Sequence, residues 1–168
     1  MQKIGLFYSF NTKNTVKAAK LIVEAFENKN IDAVNVEDIS EKEFSKYSNF
    51  ILGVPTWFDG ELPNYWDEFL PELEEMNLNG KTFAIFGTGN QKEYSENFVD
   101  AIGIMSEIIE QLGGKIIGQT ENIGYTFEHS RALRGNHFVG LPLDFDIQKK
   151  LSEERIGNWV VQLKKEFK

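Results

Sequence analysis

Cysteine is absent from this chain of 168 residues, so disulfides, thiol redox chemistry and cysteine-ligated metals are excluded. The two histidines, His129 and His137, show no spacing that is typical of a metal site. No apolar run approaches the roughly 20 residues that cross a bilayer, and residues 1–3 do not begin a signal-peptide pattern. The sequence therefore predicts a cytoplasmic protein with no bound metal and no membrane segment.

Motifs of several common chemistries are also missing. There is no G-x-x-x-x-G-K-[ST] phosphate loop, and residues 87–92 lack the third glycine of the dinucleotide fingerprint. No G-x-S-x-G nucleophile elbow occurs. A phospho-receiver domain would need acidic residues where this chain has Tyr8, Ser9 and Phe10. The polar residues that remain suit binding better than acid–base catalysis.

Basic residues are scarce in one part of the chain. The net charge is −8, and no lysine or arginine occurs between Lys46 and Lys81. That segment carries the acids Asp59, Glu61, Asp67, Glu68, Glu72, Glu74 and Glu75. Negative charge argues against nucleic acid as a partner, because its phosphates would be repelled. The segment is interpreted either as a solvated helix face or as a docking surface for basic partners, whose association complementary charge accelerates.

Apolar runs alternate with helical periodicity along most of the chain. Strands are predicted at 4–8, 31–36, 50–53, 82–86 and 115–118. Helices are predicted at 16–26, 40–46, 63–73, 98–112 and 151–167, with Asn79-Gly80 and Gly113-Gly114 as stop signals. Near-continuous apolar strands between amphipathic helices indicate an α/β fold with a parallel sheet covered on both faces. A single domain over residues 1–168 is expected.

One stretch of the chain shows neither the apolar run of a strand nor the periodicity of a helix. Residues 119–145 are rich in Gly, Asn and Asp, and a connection this long inside a compact domain is often functional. Near its end, residues 139–143 have the pattern of a strand that resumes after an excursion. We therefore expect an insertion that splits the fifth strand.

Three polar loops each follow directly on an apolar run, at residues 9–15, 54–60 and 87–91. If the runs are parallel strands, the loops meet at the edge where open α/β sheets bind ligands. The first loop precedes a helix N-terminus, where free amides favour an anion, although Asn14 or Thr15 could simply cap that helix. The second loop presents Trp57 and Phe58, and Tyr94 follows the third; alternatively, these rings pack on neighbouring loops. An anion site beside two aromatic rings predicts a flavin nucleotide.

Taken together, these motifs resemble those of the long-chain flavodoxins. Pro55-Thr56-Trp57 and residues 59–62 are similar to the second flavin loop of that family, and residues 87–91 with Tyr94 to its third. Residues 130–134 and 138–141 resemble the insertion that marks the long-chain class. The resemblance implies a flavodoxin-like three-layer sandwich, with a five-stranded parallel sheet in the order 2-1-3-4-5, the order known for flavodoxins, and helices on both faces.

The resemblance also implies a function. Flavodoxins are low-potential carriers of single electrons that bind FMN non-covalently and shuttle between redox proteins. We therefore expect FMN as the cofactor and a monomer as the working form. The expected partners are redox proteins with basic docking surfaces, a reductase as donor and a low-potential enzyme as acceptor.

Roles for individual residues follow from the same resemblance. Asn11 to Thr15 are expected to hold the FMN phosphate, mainly through backbone amides, while Trp57 and Tyr94 enclose the isoalloxazine ring. The complete predicted cofactor site is Ser9, Phe10, Asn11, Thr12, Lys13, Asn14, Thr15, Pro55, Thr56, Trp57, Phe58, Gly60, Thr88, Gly89, Asn90, Tyr94, Asn97, Phe98 and Asp146. Three of these depart from the usual family pattern, since Phe10 replaces a hydroxyl residue, Lys13 a glycine and Asn90 an aspartate.

Lys13 gives rise to competing expectations. Its ammonium group would add a positive charge to the phosphate site, or the side chain would point to water while the amide alone contacts the phosphate. Glycine at this position would also relieve any left-handed backbone strain, so that Lys13→Gly would tighten binding.

Two other functions are compatible with the same loops. One is an FMN-dependent quinone reductase of the flavodoxin-like superfamily, whose members usually oligomerise to complete the site. The other is a flavin-free binding module, for which Phe10 and Lys13 are the only support. A monomer without quinone reductase activity would favour the carrier, and a yellow purified protein would exclude the flavin-free module.

Overall fold

A parallel sheet of five strands in the order 2-1-3-4-5 runs through the centre of the molecule. The structure is a computed structural model that describes residues 1–168. The strands are β1 (Ile4–Tyr8), β2 (Ile31–Asn35), β3 (Asn49–Gly53), β4 (Thr82–Thr88) and β5 (Lys115–Ile117). β1 and β3 are buried along their whole length, as expected for central strands that are covered on both faces. The predicted strand order and the parallel direction are confirmed.

Helices form the two outer layers. They are α1 (Asn14–Ala25), α2 (Glu41–Phe44), α3 (Asn64–Glu74), α4 (Asp100–Gln111) and α5 (Lys149–Glu166), with a single 3-10 turn at Val36–Asp38. One apolar core joins α3 and α4 to Phe50 and Phe83 of the sheet. The opposite core joins α1 and α5 to Ile51 and Ala84, because successive strand residues point to opposite faces. This arrangement confirms the predicted three-layer sandwich.

Every helix of the structure is too short or too polar to cross a bilayer.

Several boundaries differ from the sequence expectation. β4 continues through Gly87 and Thr88, which the sequence places in a loop, because these residues pair with a further strand, β9 (Leu141–Leu143). α4 begins at Asp100 and excludes Phe98, because Val99 between them has a left-handed backbone with φ 49°. The sequence places Leu151 on the core face of α5, yet this side chain is 38% exposed.

The insertion folds into a small sheet of its own. Its strands β6 (Thr120–Glu121), β7 (Leu133–Arg134) and β8 (His137–Phe138) are antiparallel, in the order β6-β8-β7. After this excursion, β9 pairs with the second half of β4, while β5 pairs with the first half. The fifth strand is therefore split, as predicted. The small sheet is not predicted, because strands of two residues are too short to show an alternating pattern.

Candidate functional site

A cavity of about 320 Å³ opens at the carboxyl edge of the sheet, between the loops that follow β3 and β4. Its volume falls in the range of small-molecule sites, roughly 300–1,000 Å³. The residues that line it are Thr56, Trp57, Phe58, Gly89, Asn90, Tyr94, Asn97, Phe98 and Val99. All of these except Val99 are among the predicted cofactor residues. The left-handed backbone of Val99 has no signal in the sequence, because a β-branched residue rarely adopts it.

The loop after β3 holds Trp57 at the wall of the cavity. The backbone N–H of Trp57 donates to the carbonyl of Glu61 at 2.9 Å, and the N–H of Glu61 donates back at 2.8 Å. The chain turns between them through positive φ angles at Phe58 and Gly60. The indole ring packs edge-on against Tyr65, with ring centroids 5.6 Å apart and an interplanar angle of 89°. These contacts fix the orientation of an aromatic ring that remains only partly buried.

Gly60 and Pro55 support this loop and do not line the cavity. Pro55 is buried, and a Cβ on Gly60 would lie 2.8 Å from the carboxylate of Asp100. Thr56 joins the same loop to α4, since its Oγ1 accepts a hydrogen bond from the Ala101 amide at 3.0 Å. That bond satisfies one of the free amides at the helix N-terminus. The predicted roles of Gly60 and Pro55 are therefore better described as shaping the loop.

Asp100 lies beneath the loop, where it is 6% exposed. Its Oδ1 accepts a hydrogen bond from the Arg131 amide at 2.7 Å. Burial raises the pKa of Asp100 above its ordinary value, and the bond from Arg131, with the charges of His129 and Arg131, opposes that shift. Asp100 thus links the loop after β3, which it contacts at Gly60, to the insertion, which it contacts at Arg131.

The loop after β4 places Tyr94 at the wall of the same cavity. Asn90 holds the turn, because its Oδ1 accepts from the amides of Lys92 and Glu93 and its carbonyl accepts from the amide of Tyr94 at 3.0 Å. The Tyr94 ring is 52% exposed. Two partly exposed aromatic rings from two different loops therefore line one cavity, and such walls fit a planar heterocycle.

Asp144 anchors this third loop from below. Its side chain is completely buried, and its Oδ2 accepts from both the backbone N–H and the side-chain amide of Gln91, each at 3.0 Å. Its Oδ1 accepts from the amides of Asp146 and Ile147. Asp146 is thereby held near the loop, with its Oδ2 3.5 Å from Asn90 Nδ2.

The loop after β1 lies outside the cavity lining but beside it. Thr15 Oγ1 is 3.4 Å from Thr88 Oγ1, at the end of β4. The backbone amides of residues 12–15 donate no hydrogen bond to another group of the protein. Lys13 is the N-cap residue of α1, and no side chain caps this helix. The alternative in which Asn14 or Thr15 caps the helix is therefore wrong, and the free amides are suited to an anion.

Two predicted residues of this loop bind a carboxylate of the protein. Ser9, which is completely buried, donates through Oγ to Glu37, and Asn11 Nδ2 donates to the same carboxylate at 2.8 Å. Sequence reasoning missed Glu37. The available signal was topological, since residues 36–38 follow β2 and therefore reach the same edge of the sheet.

Phe10 and Lys13, the unusual residues of the loop, are both exposed. The Phe10 ring packs on Tyr8 at a centroid distance of 4.9 Å. The Lys13 backbone has φ −87°, in the helical region. The expectation that glycine at position 13 would relieve left-handed strain is therefore wrong.

Comparison with known proteins agrees with this geometry. The family model described as flavodoxin matches residues 6–159. A flavodoxin of Nostoc sp. is 46% identical over 169 residues, covering 99% of this chain and 98% of the relative. Flavodoxin 1 of Escherichia coli is 40% identical over 164 residues, covering 97% and 93%.

Solved structures give the same result. A Fusobacterium nucleatum flavodoxin bound to flavin mononucleotide superposes with a TM-score of 0.94 at 36% identity, with 100% of both chains covered. Its K13G mutant, also bound to flavin mononucleotide, has a TM-score of 0.94 at 35% identity and covers 100% and 98% of the chains. With the sheet order, the split fifth strand and these full-length matches, the chain belongs to the flavodoxin family.

Proposed function

We propose that this flavodoxin carries single electrons between redox proteins by means of one FMN bound non-covalently at the carboxyl edge of its sheet. The observation that carries the proposal is the cavity walled by Trp57 and Tyr94 beside a helix N-terminus with free amides. FMN supplies the one-electron chemistry when it is bound, and the protein supplies binding and orientation.

The ring end of the cofactor is assigned to the cavity. Trp57 and Tyr94 lie against its two faces. Thr56, Phe58, Gly89, Asn90, Asn97 and Phe98 line the remaining wall, with Thr88 and Asp146 at its margins. Pro55 and Gly60 hold the Trp57 loop in shape.

The phosphate end is assigned to the loop after β1. The amides of residues 12–15 are the main donors, because the α1 dipole and the missing side-chain cap both favour a bound anion. The hydroxyl of Thr12 already donates to the Ser9 carbonyl at 2.8 Å, which makes the loop compact. Ser9, Phe10 and Asn11 support the loop from the side of β2, and Lys13 and Asn14 stand at its open end.

The proposed partners are redox proteins with basic docking surfaces. The acids between Asp59 and Glu75 form no ion pair within 4.0 Å, since the ion pairs of the molecule join other residues. Unpaired surface carboxylates keep their field available to a partner. We assign the working form to a monomer, because both rings that enclose the flavin come from one chain. No observation favours the quinone reductase or the flavin-free module.

The experiment is a pair of ring truncations. Trp57→Ala and Tyr94→Ala should each weaken FMN binding by roughly tenfold or more, because truncation removes both the aromatic stack, worth about 0.5–1.5 kcal/mol, and the apolar area that the ring buries. Both should also reduce the quenching of FMN fluorescence and move the reduction potentials. Ile123→Ala is the control, because Ile123 is exposed and lies in the insertion. Unchanged affinity and quenching in both ring variants would overturn the assignment.

A further inference from the structure

A second, smaller pocket lies between the 3-10 turn at Val36–Asp38 and helix α3. Its volume is about 170 Å³, below the roughly 300 Å³ at which small-molecule sites begin, so it is suited to one side chain and not to a cofactor. The residues that line it are Val36, Glu37, Ile39, Tyr65, Glu68, Phe69 and Glu72.

Tyr65 brings an unsatisfied polar group to this pocket. The residue is 8% exposed, and its hydroxyl is the buried side-chain polar atom of the protein that has no hydrogen-bond partner. Folded proteins leave few such groups unpaired, because the hydroxyl loses its water without gaining a replacement. Burial, and to a smaller extent the charge of Glu37, raises the pKa of Tyr65. The hydroxyl is therefore neutral at physiological pH and can accept a hydrogen bond.

The three glutamates of the pocket retain unused acceptor sites. None of them lies within 4.0 Å of a lysine or arginine of the chain. Glu72 accepts one bond, from the Glu41 amide at 2.9 Å, and Glu68 accepts none. Glu37 accepts from Ser9 and Asn11, which leaves part of its capacity free. The pocket is thus rich in acceptors and poor in donors.

A metal ion does not fit this set of acceptors. Acidic side chains converge nowhere in the chain closely enough to hold a metal ion. The acceptors lie on two elements, with Glu37 on the turn and Glu68 and Glu72 one helical turn apart on α3. A guanidinium group carries five donors in a planar fork and can therefore reach several such acceptors at once.

We propose that this pocket receives one arginine side chain of a basic redox partner, with Glu68 and Glu37 pairing the guanidinium. The Tyr65 hydroxyl, which solvent does not reach in the free protein, accepts one of its hydrogen bonds once the pocket opens around the guest. The proposal rests on the function proposed above, and it names the place on the acidic surface that the partner recognises. It also places the partner close to the cofactor site. The Tyr65 ring contacts Trp57, and Glu37 contacts the loop assigned to the phosphate.

The direct test uses a blocked peptide, acetyl-Gly-Arg-Gly-amide, titrated into the FMN-loaded protein and followed by backbone amide NMR. We expect saturable shifts at residues 36–39 and 65–72. The matched peptide with citrulline, which is neutral and similar in shape, should produce none. Shifts that are equal for both peptides, or that spread over the whole acidic surface, would overturn the proposal.

Two variants sharpen the test. Glu68→Gln should lower the affinity for the arginine peptide by roughly threefold, in the range of exposed ion pairs. Tyr65→Phe, which keeps the ring, should lower that affinity by a similar factor. Glu74→Gln is the matched control, because it removes the same charge from the same helix but lies outside the pocket. Equal losses in Glu68→Gln and Glu74→Gln would mean that only the general field acts.

Electron transfer to a basic c-type cytochrome separates this proposal from the proposed function. If Glu68→Gln slows transfer more than Glu74→Gln at low salt, the pocket is supported. If both variants slow it equally and salt still slows the wild type, the docking surface stands and the pocket is wrong. If transfer by the wild type does not depend on salt, the docking part of the proposed function fails, whereas the peptide titration still reports on the pocket.

Discussion

At the scale of single residues, Lys13 stands at the entrance to the proposed phosphate site. Its side chain is exposed, and its ammonium group makes no hydrogen bond or ion pair with the protein. An exposed charge pair contributes little, about 0.2–1 kcal/mol, because water and salt screen it. The backbone amides, which α1 orients, are therefore the larger part of the phosphate site.

We expect Lys13→Gln to lower FMN affinity by at most roughly fivefold at low salt, because it removes an exposed charge and keeps a long side chain. The difference from the wild type should shrink as salt is added. FMN titration of the apoprotein at low and high ionic strength measures it. Lys20→Gln is the control, since Lys20 is exposed on the same helix further from its N-terminus. Identical affinity at low salt would show that Lys13 points to water.

Asp100 gives a pH dependence whose sign follows from its burial. Its pKa in the folded protein lies above the ordinary value of 3.8, so folding favours the protonated carboxyl. This contribution to stability is fully present below the pKa of the unfolded chain and is lost as the pH rises through the folded pKa. Asp100→Asn cannot ionise and can still accept from the Arg131 amide. The stability of the wild type relative to the variant should therefore fall as the pH rises.

Urea unfolding of both proteins between about pH 4 and pH 7 measures this difference. The comparison isolates Asp100, because all other titrating groups are shared by the two proteins. A stability difference that stays constant over the range would contradict the assignment of the raised pKa to Asp100.

At the scale of elements, the third loop depends on a single buried carboxylate. Asp144 joins Gln91 to residues 146 and 147, so the loop after β4 and the segment that precedes α5 share one anchor. Removing the carboxylate would leave the two buried donors of Gln91 and the two part-buried amides of residues 146 and 147 without acceptors. A buried donor that loses its partner costs about 1–3 kcal/mol.

We expect Asp144→Ala to lower the free energy of unfolding by about 3 kcal/mol, because more than one donor loses its acceptor. Urea unfolding of the apoprotein is the measurement, so that weaker FMN binding does not contribute. Asp59→Ala serves as the control, since Asp59 is exposed and takes part in no hydrogen bond or ion pair. A loss no larger than that of the control would mean that water replaces the carboxylate.

The elements that the sequence predicts well are those with a long, regular period. The buried strands β1 and β3 and the helices α1 and α4 appear close to their predicted positions, because their apolar spacing is dictated by two large cores. The aromatic walls were predictable for a related reason, since Trp57 and Tyr94 follow strands whose order places both loops at one edge. Features set by non-local contacts were not predictable from the sequence. Glu37 and Tyr65 meet the cofactor loops only through the tertiary fold, and neither carries a local motif.

At the scale of the whole molecule, the charge is unevenly distributed. The net charge is −8, and the five ion pairs of the molecule all involve acids outside the segment from Asp59 to Glu75. The electrostatic field of unpaired carboxylates on one surface accelerates the encounter with a partner of opposite charge. Such acceleration is sensitive to salt, because the Debye length is only about 10 Å at 0.1 M.

We expect electron transfer to a basic c-type cytochrome to slow by roughly tenfold or more between about 0.02 M and 0.3 M salt, as steered association does. Stopped-flow measurement of the second-order rate constant tests this. A neutral small-molecule oxidant is the control, and its rate should hardly change. A flat salt profile with the cytochrome would leave the acidic segment as a solvated helix face.

The split fifth strand has a consequence for how copies of this protein behave at high concentration. An open sheet ends in edge strands whose free backbone groups can pair with another chain and begin aggregation. Here that edge is broken into two pieces of three residues, and the second piece contains Pro142, which has no N–H to offer. The hydroxyl of Tyr125 donates to the Pro142 carbonyl at 2.7 Å, and Thr120 Oγ1 donates to the Gly140 carbonyl at 2.6 Å. The insertion thus occupies carbonyls on the margin that a neighbouring molecule would otherwise use as a template.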